Sequence, residues 1–419
     1  MGFVKRYFDY IIVFLLIYTS RETILFGTNA DPLVTLLGFI APVIVLFMLL
    51  IRKNRTNGNP HFVYSKRTRD TLIIISFLLV VTMIVNIDLN IKYGYELLLC
   101  LLAYHIVNQI EFKRFAEVFS DIIEFFSIFA IVTFVLYIVY PGLFGIFPVI
   151  TNKSGFEFYF TGLSVLPREV FGVLLRMFGI FREPGVAIIF VNLALLFELF
   201  VINRAKILRV SLLVLTIGFS LSTAGFILTF LIFMTYVLHA QKKHFLVSII
   251  LLAIVSVLAL LIMQNDFIYM AVFNKFNQSD SSSTGARFGS IVNNIKLVLD
   301  YPIGLLFGLG YQFVEDYFAN LGGAIRGEDH NTNTLIKELS IHGFLFFFYF
   351  LVKIFRFSKN LFKREFLPSF LVFCIIVLAL SNEDLTVDFI LYLIVFYSDK
   401  NELFPLKRYD RSICPSHVL

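Results

Sequence analysis

Arginine and histidine side chains in two polar segments are the residues of this 419-residue chain best suited to chemistry. Arg176 and Arg182 lie in the first polar segment, and Arg287 and His330 lie in the second. A guanidinium group binds phosphate oxygens through a planar pair of donors and stays charged at any working pH. An imidazole, which titrates near neutrality, is the usual general base for a hydroxyl group. These residue types predict a site for a phosphate-bearing substrate.

The residues around Arg182 favour an anion site. Pro184 is well tolerated at the first position of a helix, so Arg182 and Glu183 would lie beside a helix N-terminus. Such an end carries free N–H groups and a positive dipole, both of which attract anions. The alternative is that the arginines bind ordinary lipid phosphates or form ion pairs with Glu169 and Glu183.

Polar residues also mark the helix predicted to follow the second segment. Asn331 or Thr332 suits its N-cap, and Asn331, Glu338 and His342 would share one face of it. We predict that Asn331 and Glu338 contact the substrate. The alternative is that His330 only caps the helix, while Glu338 and His342 are satisfied by neighbouring helices.

The sequence predicts neither a metal nor a cofactor. No spacing of His, Cys, Asp and Glu is typical of a metal site, and no nucleophile elbow occurs. Glu383, Asp384 and Asp388 lie close together and could position a substrate or bind a cation. Lys337 and Glu338 could pair with each other or with neighbouring residues near the membrane interface.

The composition places these residues in a membrane protein. Hydrophobic residues make up 58% of the chain, charged residues 15%, and the mean hydropathy is +0.85, which is outside the range of soluble globular domains. Apolar runs long enough to cross ~30 Å of hydrocarbon recur along the chain. We predict an all-α integral membrane protein with about 12 transmembrane helices, at residues 8–26, 33–51, 71–87, 93–110, 118–140, 186–202, 206–221, 223–239, 245–263, 334–354, 367–381 and 386–399. A single kinked or re-entrant segment between 206 and 239 is the alternative.

Charge asymmetry predicts the orientation. Lys and Arg accumulate on the cytoplasmic side of a membrane. If the N-terminus is inside and successive loops alternate between the two sides, the cytoplasmic segments hold about two-thirds of the 35 basic residues. Both termini would then be cytoplasmic. The long segments 141–185 and 264–333 would face outward from a single polytopic domain, residues 1–419. The net charge of +6 thus follows from topology and requires no nucleic acid. No cleavable signal peptide and no internal repeat is evident.

The two outer segments have their own patterns. Residues 171–181 are apolar and glycine-punctuated, which predicts a stretch at the membrane surface. Residues 277–284 form a Ser-rich hinge, and residues 288–299 have helical apolar spacing that predicts an interfacial amphipathic helix. Tyr301-Pro302 would end that helix, and a glycine-rich segment follows.

Several short motifs occur in a fixed order over roughly residues 170–355. They are Arg176-x-x-Gly-x-x-Arg-Glu-Pro-Gly-x-x-Ala187, Leu221-Ser-Thr-Ala-Gly225, Gly285-Ala-Arg287, Pro302-x-Gly304 with Gly308-x-Gly310, and His330-Asn331 followed by Gly343. In this order and placement the chain resembles bacterial O-antigen polymerases of the Wzy type and O-antigen ligases. One departure is Ser222-Thr223, where the family has serine-arginine.

The resemblance implies a polytopic, GT-C-like glycosyltransferase. It would polymerise undecaprenyl-diphosphate-linked oligosaccharide repeat units at the outer face of the bacterial inner membrane, without a metal. His330 would activate or orient the acceptor hydroxyl, while Arg182 and Arg287 would hold the departing diphosphate. The resemblance implies supporting roles for three further residues, Arg176, Glu183 and Asn331.

Other functions remain open at this stage. An O-antigen ligase would transfer the finished polymer to lipid A core, and the Arg-Glu-Pro-Gly motif favours the polymerase over it. A flippase for lipid-linked oligosaccharides is the non-enzymatic alternative, although it would have two related halves and short outer loops. A structural scaffold is a further alternative. Expected partners are the lipid-linked oligosaccharides, membrane lipids, a chain-length regulator and a flippase of the same pathway.

Overall fold

The computed structural model describes residues 2–56, 64–169, 175–202, 206–239, 282–321, 331–362 and 365–400. These residues form a helical framework that carries one small sheet. The helices are α1 (Gly2–Tyr18), α2 (Ile24–Gly27), α3 (Pro32–Thr56), α4 (Lys66–Val85), α5 (Ile91–Gln109), α6 (Phe112–Val139), α7 (Pro184–Phe197), α8 (Ile207–Ser220), α9 (Thr223–His239), α10 (Ser282–Asp300), α11 (Pro302–Phe307), α12 (Tyr311–Leu321), α13 (Thr334–Leu361), α14 (Phe366–Asn382) and α15 (Phe389–Tyr397). A 3₁₀ turn, Pro141–Ile146, follows α6, and a π-helical turn, Glu198–Ile202, extends α7.

The helices have the length and composition of a membrane protein. Within the described ranges, five segments are long and apolar enough to cross a membrane: Pro32–Lys53, Lys66–Val85, Phe112–Val139, Pro184–Ile202 and Thr334–Leu361. Shorter apolar helices accompany them. Large apolar side chains such as Phe47, Phe77 and Ile84 are exposed on the outside of the bundle. A surface of this kind is unfavourable in water but matches lipid.

The predicted spans can be compared with these helices one by one. Each of them overlaps a helix except 245–263, which lies outside the described residues. The first helix ends at Tyr18, not at residue 26, so Arg21 and Glu22 lie in a loop. Between 206 and 239 the chain forms two helices, α8 and α9, because Leu221 adopts a left-handed conformation with φ 47°.

The centre of the bundle is α7. Nearly every residue of Pro184–Ile202 is buried, and α7 packs against α6, α8 and α9. On the other side of the bundle α13 packs against α14 and α15, and α15 packs against α5. The start of α7 at Pro184, with Glu183 as N-cap, confirms the predicted helix start.

The segment between α6 and α7 contains a sheet that the sequence analysis did not predict. Strands β1 (Val149–Thr151), β2 (Glu157–Phe160) and β3 (Val165–Pro167) are antiparallel in the order β1-β2-β3. The amide of Val165 donates to the carbonyl of Gly179 at 2.7 Å, which ties the sheet to the segment leading to α7. Residues 177–181 of the stretch predicted to lie at the membrane surface are buried against the protein, and residues 171–174 of it lie outside the described part. Its place at the membrane surface stays a prediction.

The amphipathic helix predicted at 288–299 is present as α10, and it ends before Tyr301-Pro302 as expected. It begins at Ser282, inside the stretch predicted as a hinge; residues 277–281 of that stretch are outside the described chain. Its polar side chains Ser290 and Asn294 are buried, while Val292, Ile295 and Leu299 are exposed. Part of the apolar face is therefore free to contact lipid, while Ser290 and Asn294 are turned into the protein together with Leu297 and Val298.

Two glycine positions form a clasp between α13 and the chain before α12. Gly343 interrupts α13 with φ 82°, and Gly308 has φ 77°. The amides of Leu309 and Gly310 donate to the carbonyls of Ser340 and Ile341 at 2.8 and 3.0 Å. A Cβ on Gly343 would lie 2.4 Å from the amide nitrogen of Gly308, so only glycine allows the two chains to approach this closely.

Candidate functional site

Arg182 is held where three separate parts of the chain meet. Its amide donates to the carbonyl of Glu22 at 2.9 Å, which places the segment before α7 against the loop after α1. Its Nε donates to Glu22 Oε2 at 2.9 Å, and its Nη2 donates to the carbonyl of Asp384 at 3.0 Å. The guanidinium thus bridges the loop after α1 and the loop before α15.

Arg182 lines a cavity of about 150 Å³ at this end of the bundle. Its lining residues are Arg21, Glu22, Gly27, Thr28, Lys92, Arg182, Tyr311, Lys337, Asp384 and Val387. Four of the lining side chains are cationic and two are acidic, a formal excess of two positive charges (4 − 2) among the lining residues alone. Two further carboxylates, Glu183 and Glu315, pair with Arg182 and Lys92 from outside the lining. A concave site with excess positive charge concentrates anions.

The four cationic side chains that line the cavity differ in the partners that neutralise or stabilise them. Lys337 Nζ donates to Asp384 Oδ2 at 2.6 Å, and Lys92 forms an ion pair with Glu315. Arg21 is stabilised by aromatic rings, with its guanidinium carbon 5.5 Å from the ring centre of Phe39. Its Nη1 is buried and has no hydrogen-bond partner among the residues that the structure describes. A buried cationic donor without an acceptor is costly, so this nitrogen is available to a ligand oxygen.

The charges around the cavity act strongly on one another. Burial opposes ionisation of Asp384, but its contacts with Lys337, Thr386 and Arg182 hold the pKa of its carboxyl well below the usual range. Burial likewise disfavours the charged form of Arg182, yet the surrounding carboxylates raise the pKa of its guanidinium. Burial lowers the pKa of Lys92, although Glu315 opposes this effect. The nearby positive charges of Lys337 and Arg21 add to that lowering.

The ends of several elements bring these residues together. Arg21 follows α1, and Lys92 lies in the first turn of α5, whose N-cap Asn90 accepts from the amide of Lys92 at 3.1 Å. Tyr311 begins α12 directly after the clasp, and Lys337 lies in the first turn of α13. The cavity is therefore built from helix ends.

Of the residues predicted from the sequence, Arg182 lines the cavity and Glu183 lies beside it. Glu183 Oε1 is 3.5 Å from Arg182 Nη1, and its side chain is half exposed. Arg176 is elsewhere: its Nε and Nη2 donate to the carbonyls of Ser220 and Leu221 at 3.1 and 3.3 Å. It holds the C-terminal end of α8 and is not among the lining residues.

Asn331 and Glu338 are also separate from the cavity lining. Asn331 Oδ1 accepts from Ser290 and Asn294, both at 2.9 Å, and so joins α10 to the chain before α13. Glu338 is fully buried beside His342. The prediction that Asn331 or Thr332 caps the helix is wrong, because the N-cap is Asn333, whose Oδ1 accepts from the amide of Ile336 at 3.0 Å.

The remaining two predicted residues cannot be placed at the cavity. Arg287 lies on α10, but its side chain is outside the described part of the structure, as is the whole of His330. Their catalytic roles stay predictions.

Sequence reasoning missed most residues of the cavity, among them Arg21, Lys92 and Tyr311, and it treated Lys337 only as an ion-pairing residue. A signal for Arg21 was present. Arg21-Glu22 interrupts an apolar run, and adjacent charges inside hydrocarbon are unfavourable, which suggests an earlier helix end. The sequence contains no comparable signal for Tyr311.

A larger cavity of about 470 Å³ lies at the opposite end of the bundle. Its charged lining is balanced: Arg114, Lys206 and Arg209 face Glu117, Asp121 and Glu198. Arg209 Nη1 is 2.7 Å from Asp121 and 3.2 Å from Glu198. Because acids match cations there, this cavity has no comparable preference for anions.

No protein-family model, curated protein or solved structure matches this chain. The function must therefore be argued from the cationic cavity and the sequence.

Proposed function

We propose that this protein is a polysaccharide polymerase that uses a lipid-diphosphate-linked donor. It transfers a growing glycan to a hydroxyl of a new lipid-linked unit at the outer face of the bacterial inner membrane. The observation that carries the proposal is the grouping of Arg21, Lys92, Arg182 and Lys337 around one cavity at an end of an apolar helix bundle. The GT-C-like fold and the twelve spans belong to the same proposal.

The cations match the leaving group of this reaction. The bond between the anomeric carbon and the phosphate oxygen breaks, and a bond from that carbon to the acceptor oxygen forms. Negative charge grows on the departing diphosphate, and fixed positive charges stabilise it most where water is excluded. Arg182 is oriented by Glu22 and the Asp384 carbonyl, so it does not need to reorganise during the reaction.

The acceptor hydroxyl must lose its proton. We assign this role to His330, as the sequence predicts, and we assign Arg287 to the diphosphate. The outer segment that carries both residues joins the described structure at Asn331, next to the polar face of α10. Asn331 acts by fixing this junction.

Apolar side chains beside the cavity suit the isoprenoid tail. Ile87, Leu89 and Ile91 are 88%, 84% and 79% exposed, and Lys92 follows them directly. A lipid diphosphate could place its chain along this strip while its phosphates reach the cations. The charge distribution of the whole chain predicts that this end faces outward.

A complementation experiment tests the proposal. The gene is deleted in its host, and surface polysaccharide is separated on a gel after complementation with Arg182→Gln, Lys337→Gln, Arg287→Ala or His330→Ala. We expect single-unit chains with each variant and long chains with wild type. Arg168→Gln is the matched control, because Arg168 forms an exposed pair with Glu157 away from the cavity.

The same gel separates the alternatives. Polymer that remains on the carrier and does not reach lipid A core would indicate a ligase. Loss of all lipid-linked units from the outer face would indicate a flippase. Long chains in all four variants would refute the assigned roles.

A further inference from the structure

A buried cluster of two carboxylates and one imidazole lies next to Tyr311, inside the bundle. Glu96 of α5 and Glu338 of α13 are 0% exposed, and His342 of α13 is 2% exposed. His342 Nε2 is 3.3 Å from Glu96 Oε1 and 3.4 Å from Glu338 Oε2. None of these contacts is needed for the proposed glycosyl transfer.

The cluster has more negative charge than its partners neutralise. In the described part of the chain, both carboxylates form their ion pairs with His342 alone. One protonated imidazole can balance only one of them, and an uncompensated buried carboxylate is strongly unfavourable. A further cation or proton is therefore required.

Unsatisfied atoms favour a bound metal over a proton. Within the described ranges, both oxygens of Glu338, Oε2 of Glu96 and Nδ1 of His342 are buried without a hydrogen-bond partner. A proton on Glu338 Oε2 could be donated to His342 Nε2 at 3.4 Å, but Oε1 of Glu338 and Oε2 of Glu96 would still have no partner among the described residues. A metal ion instead uses oxygen lone pairs directly.

The spacing of the three groups fits a small divalent cation. One ligand atom from each lies within 4.8 Å of the others. Metal bonds of about 2.0–2.1 Å at tetrahedral angles place neighbouring ligand atoms about 3.3 Å apart. The separations of 3.3 and 3.4 Å from His342 Nε2 agree with this value.

Neighbouring side chains would orient the ligands. The hydroxyl of Tyr311 donates to Glu96 Oε1, as outer-sphere partners of metal ligands commonly do. The rings of Tyr311 and Phe346 pack on the imidazole, with centroids 5.6 and 4.4 Å away. The clasp at Gly343 follows His342 directly and fixes its position.

We propose that Glu96, Glu338 and His342 bind one first-row divalent metal ion of the Zn²⁺ type. Two carboxylate oxygens and an imidazole nitrogen are suitable ligands for such ions. The ion joins α5 to α13 and supports Tyr311, which lines the cationic cavity. Its role is structural, so this inference does not rest on the proposed function.

The test begins with the metal content of the full-length protein, purified without chelators and without a histidine tag. We expect about one equivalent of zinc or another first-row metal per chain, and loss of that metal in Glu338→Gln and His342→Gln. Glu198→Gln is the control, because Glu198 is equally buried but lies at the opposite end of the bundle. It should retain the metal.

A second measurement tests the site even if the ligand variants fail to fold. Chelator-treated wild-type protein is reconstituted with Co²⁺, and we expect visible d–d absorption together with a higher Tm. Tyr311→Phe should weaken metal affinity by about 10–100-fold, because Glu96 loses its oriented donor. A wild-type protein that contains no metal and whose Tm does not respond to Zn²⁺ or Co²⁺ would overturn the proposal. Retention of metal by both ligand variants would do the same.

Discussion

Arg21 and Arg182 line the same cavity, but the protein holds them differently. Arg182 forms an ion pair with the buried Glu22, whereas Arg21 relies on aromatic packing, and its Nη1 has no partner in the described part of the chain. Substitution of each arginine should therefore change ligand binding and stability to different extents.

Arg21→Gln should weaken binding of an isoprenyl diphosphate more than tenfold, because a charged hydrogen bond contributes roughly 1.5–3 kcal/mol. Its cost in stability should stay near 1 kcal/mol, the loss of the cation–π contact. Arg182→Gln should weaken binding as well and also destabilise the fold by about 3 kcal/mol, since Glu22 is left buried and unpaired.

Binding to protein in lipid nanodiscs and thermal unfolding measure the two quantities. The corresponding isoprenyl alcohol is the ligand control and should be insensitive to both changes. Equal losses of stability in the two variants would contradict the different roles inferred here.

The contribution of the Lys337–Asp384 pair to folding stability should depend on pH. The pKa of Asp384 is lowered on folding, so its stabilising contribution is present above the unfolded pKa and is lost as pH falls through the folded pKa. Asp384→Asn should cost about 2 kcal/mol between pH 5 and 8, and the difference from wild type should shrink only below about pH 4. Thermal unfolding at several pH values measures it.

The exposed pair of Arg168 and Glu157 provides the control for this series. Glu157→Gln removes a solvent-screened ion pair and should hardly change Tm at any pH. If the stability difference between wild type and Asp384→Asn already declined between pH 8 and 6, the pKa of the Asp384 carboxyl would be higher than its contacts imply.

At the scale of elements, the clasp between Gly308 and Gly343 explains two glycine motifs. The break in α13 leaves the carbonyls of Ser340 and Ile341 free, and the amides after Gly308 satisfy them. The irregular backbone before α12 thus satisfies the irregular backbone of α13, because buried N–H and C=O groups need hydrogen-bond partners within the protein. The same contact sets the start of α12 and hence the position of Tyr311.

Gly343→Ala should destabilise the protein by more than 2 kcal/mol, since its Cβ would overlap Leu306 and Gly308 backbone at 2.4 Å and the residue needs φ 82°. Gly218→Ala is the matched control, because Gly218 lies in α8 with nothing within 4 Å of a new Cβ. It should be neutral or stabilising by up to ~1 kcal/mol. Thermal unfolding of both variants decides whether the clasp is as tight as described.

Helix α10 shows how an element can be predicted while its orientation is not. Its apolar periodicity predicted the helix correctly, but Ser290 and Asn294 are turned inward, toward Asn331, together with the apolar Leu297 and Val298. In water an amphipathic helix buries its apolar face. Beside lipid the polar face needs protein partners instead, because lipid offers no hydrogen bonds.

At the scale of the molecule, the two ends of the bundle differ in their charge pairing. At the end that begins α6 and α8, Arg52 and Arg114 contact Asp9, and Arg209 contacts three acids. At the other end the cavity has a cationic excess. The predicted orientation makes the balanced end cytoplasmic and the cationic end external.

Cysteine labelling tests this orientation. In a background with Cys100, Cys374 and Cys414 replaced by serine, Ser154→Cys should react with an impermeant maleimide added to intact spheroplasts. Lys359→Cys should react only after the membrane is permeabilised. Both positions are exposed in the structure, so accessibility differs only through the membrane. The reverse pattern would invert the topology and refute the proposed outer site.

The amino-acid sequence by itself determined most helices, the start of α7 and the position of Arg182 beside it. These features follow from apolar runs and from local preferences such as that of Pro184, which act over a few residues. The sheet at 149–167 was missed because its strands are short and their pairing depends on the segment that leads to α7.

Only the tertiary structure decided which charged groups meet. Arg21, Lys92, Arg182 and Lys337 come from four separate helix ends, and Glu96 reaches His342 from 246 positions away. Local patterns carry no information on such contacts, because the packing of whole helices sets them. The cationic cavity and the buried carboxylate cluster therefore emerge only when the bundle is assembled.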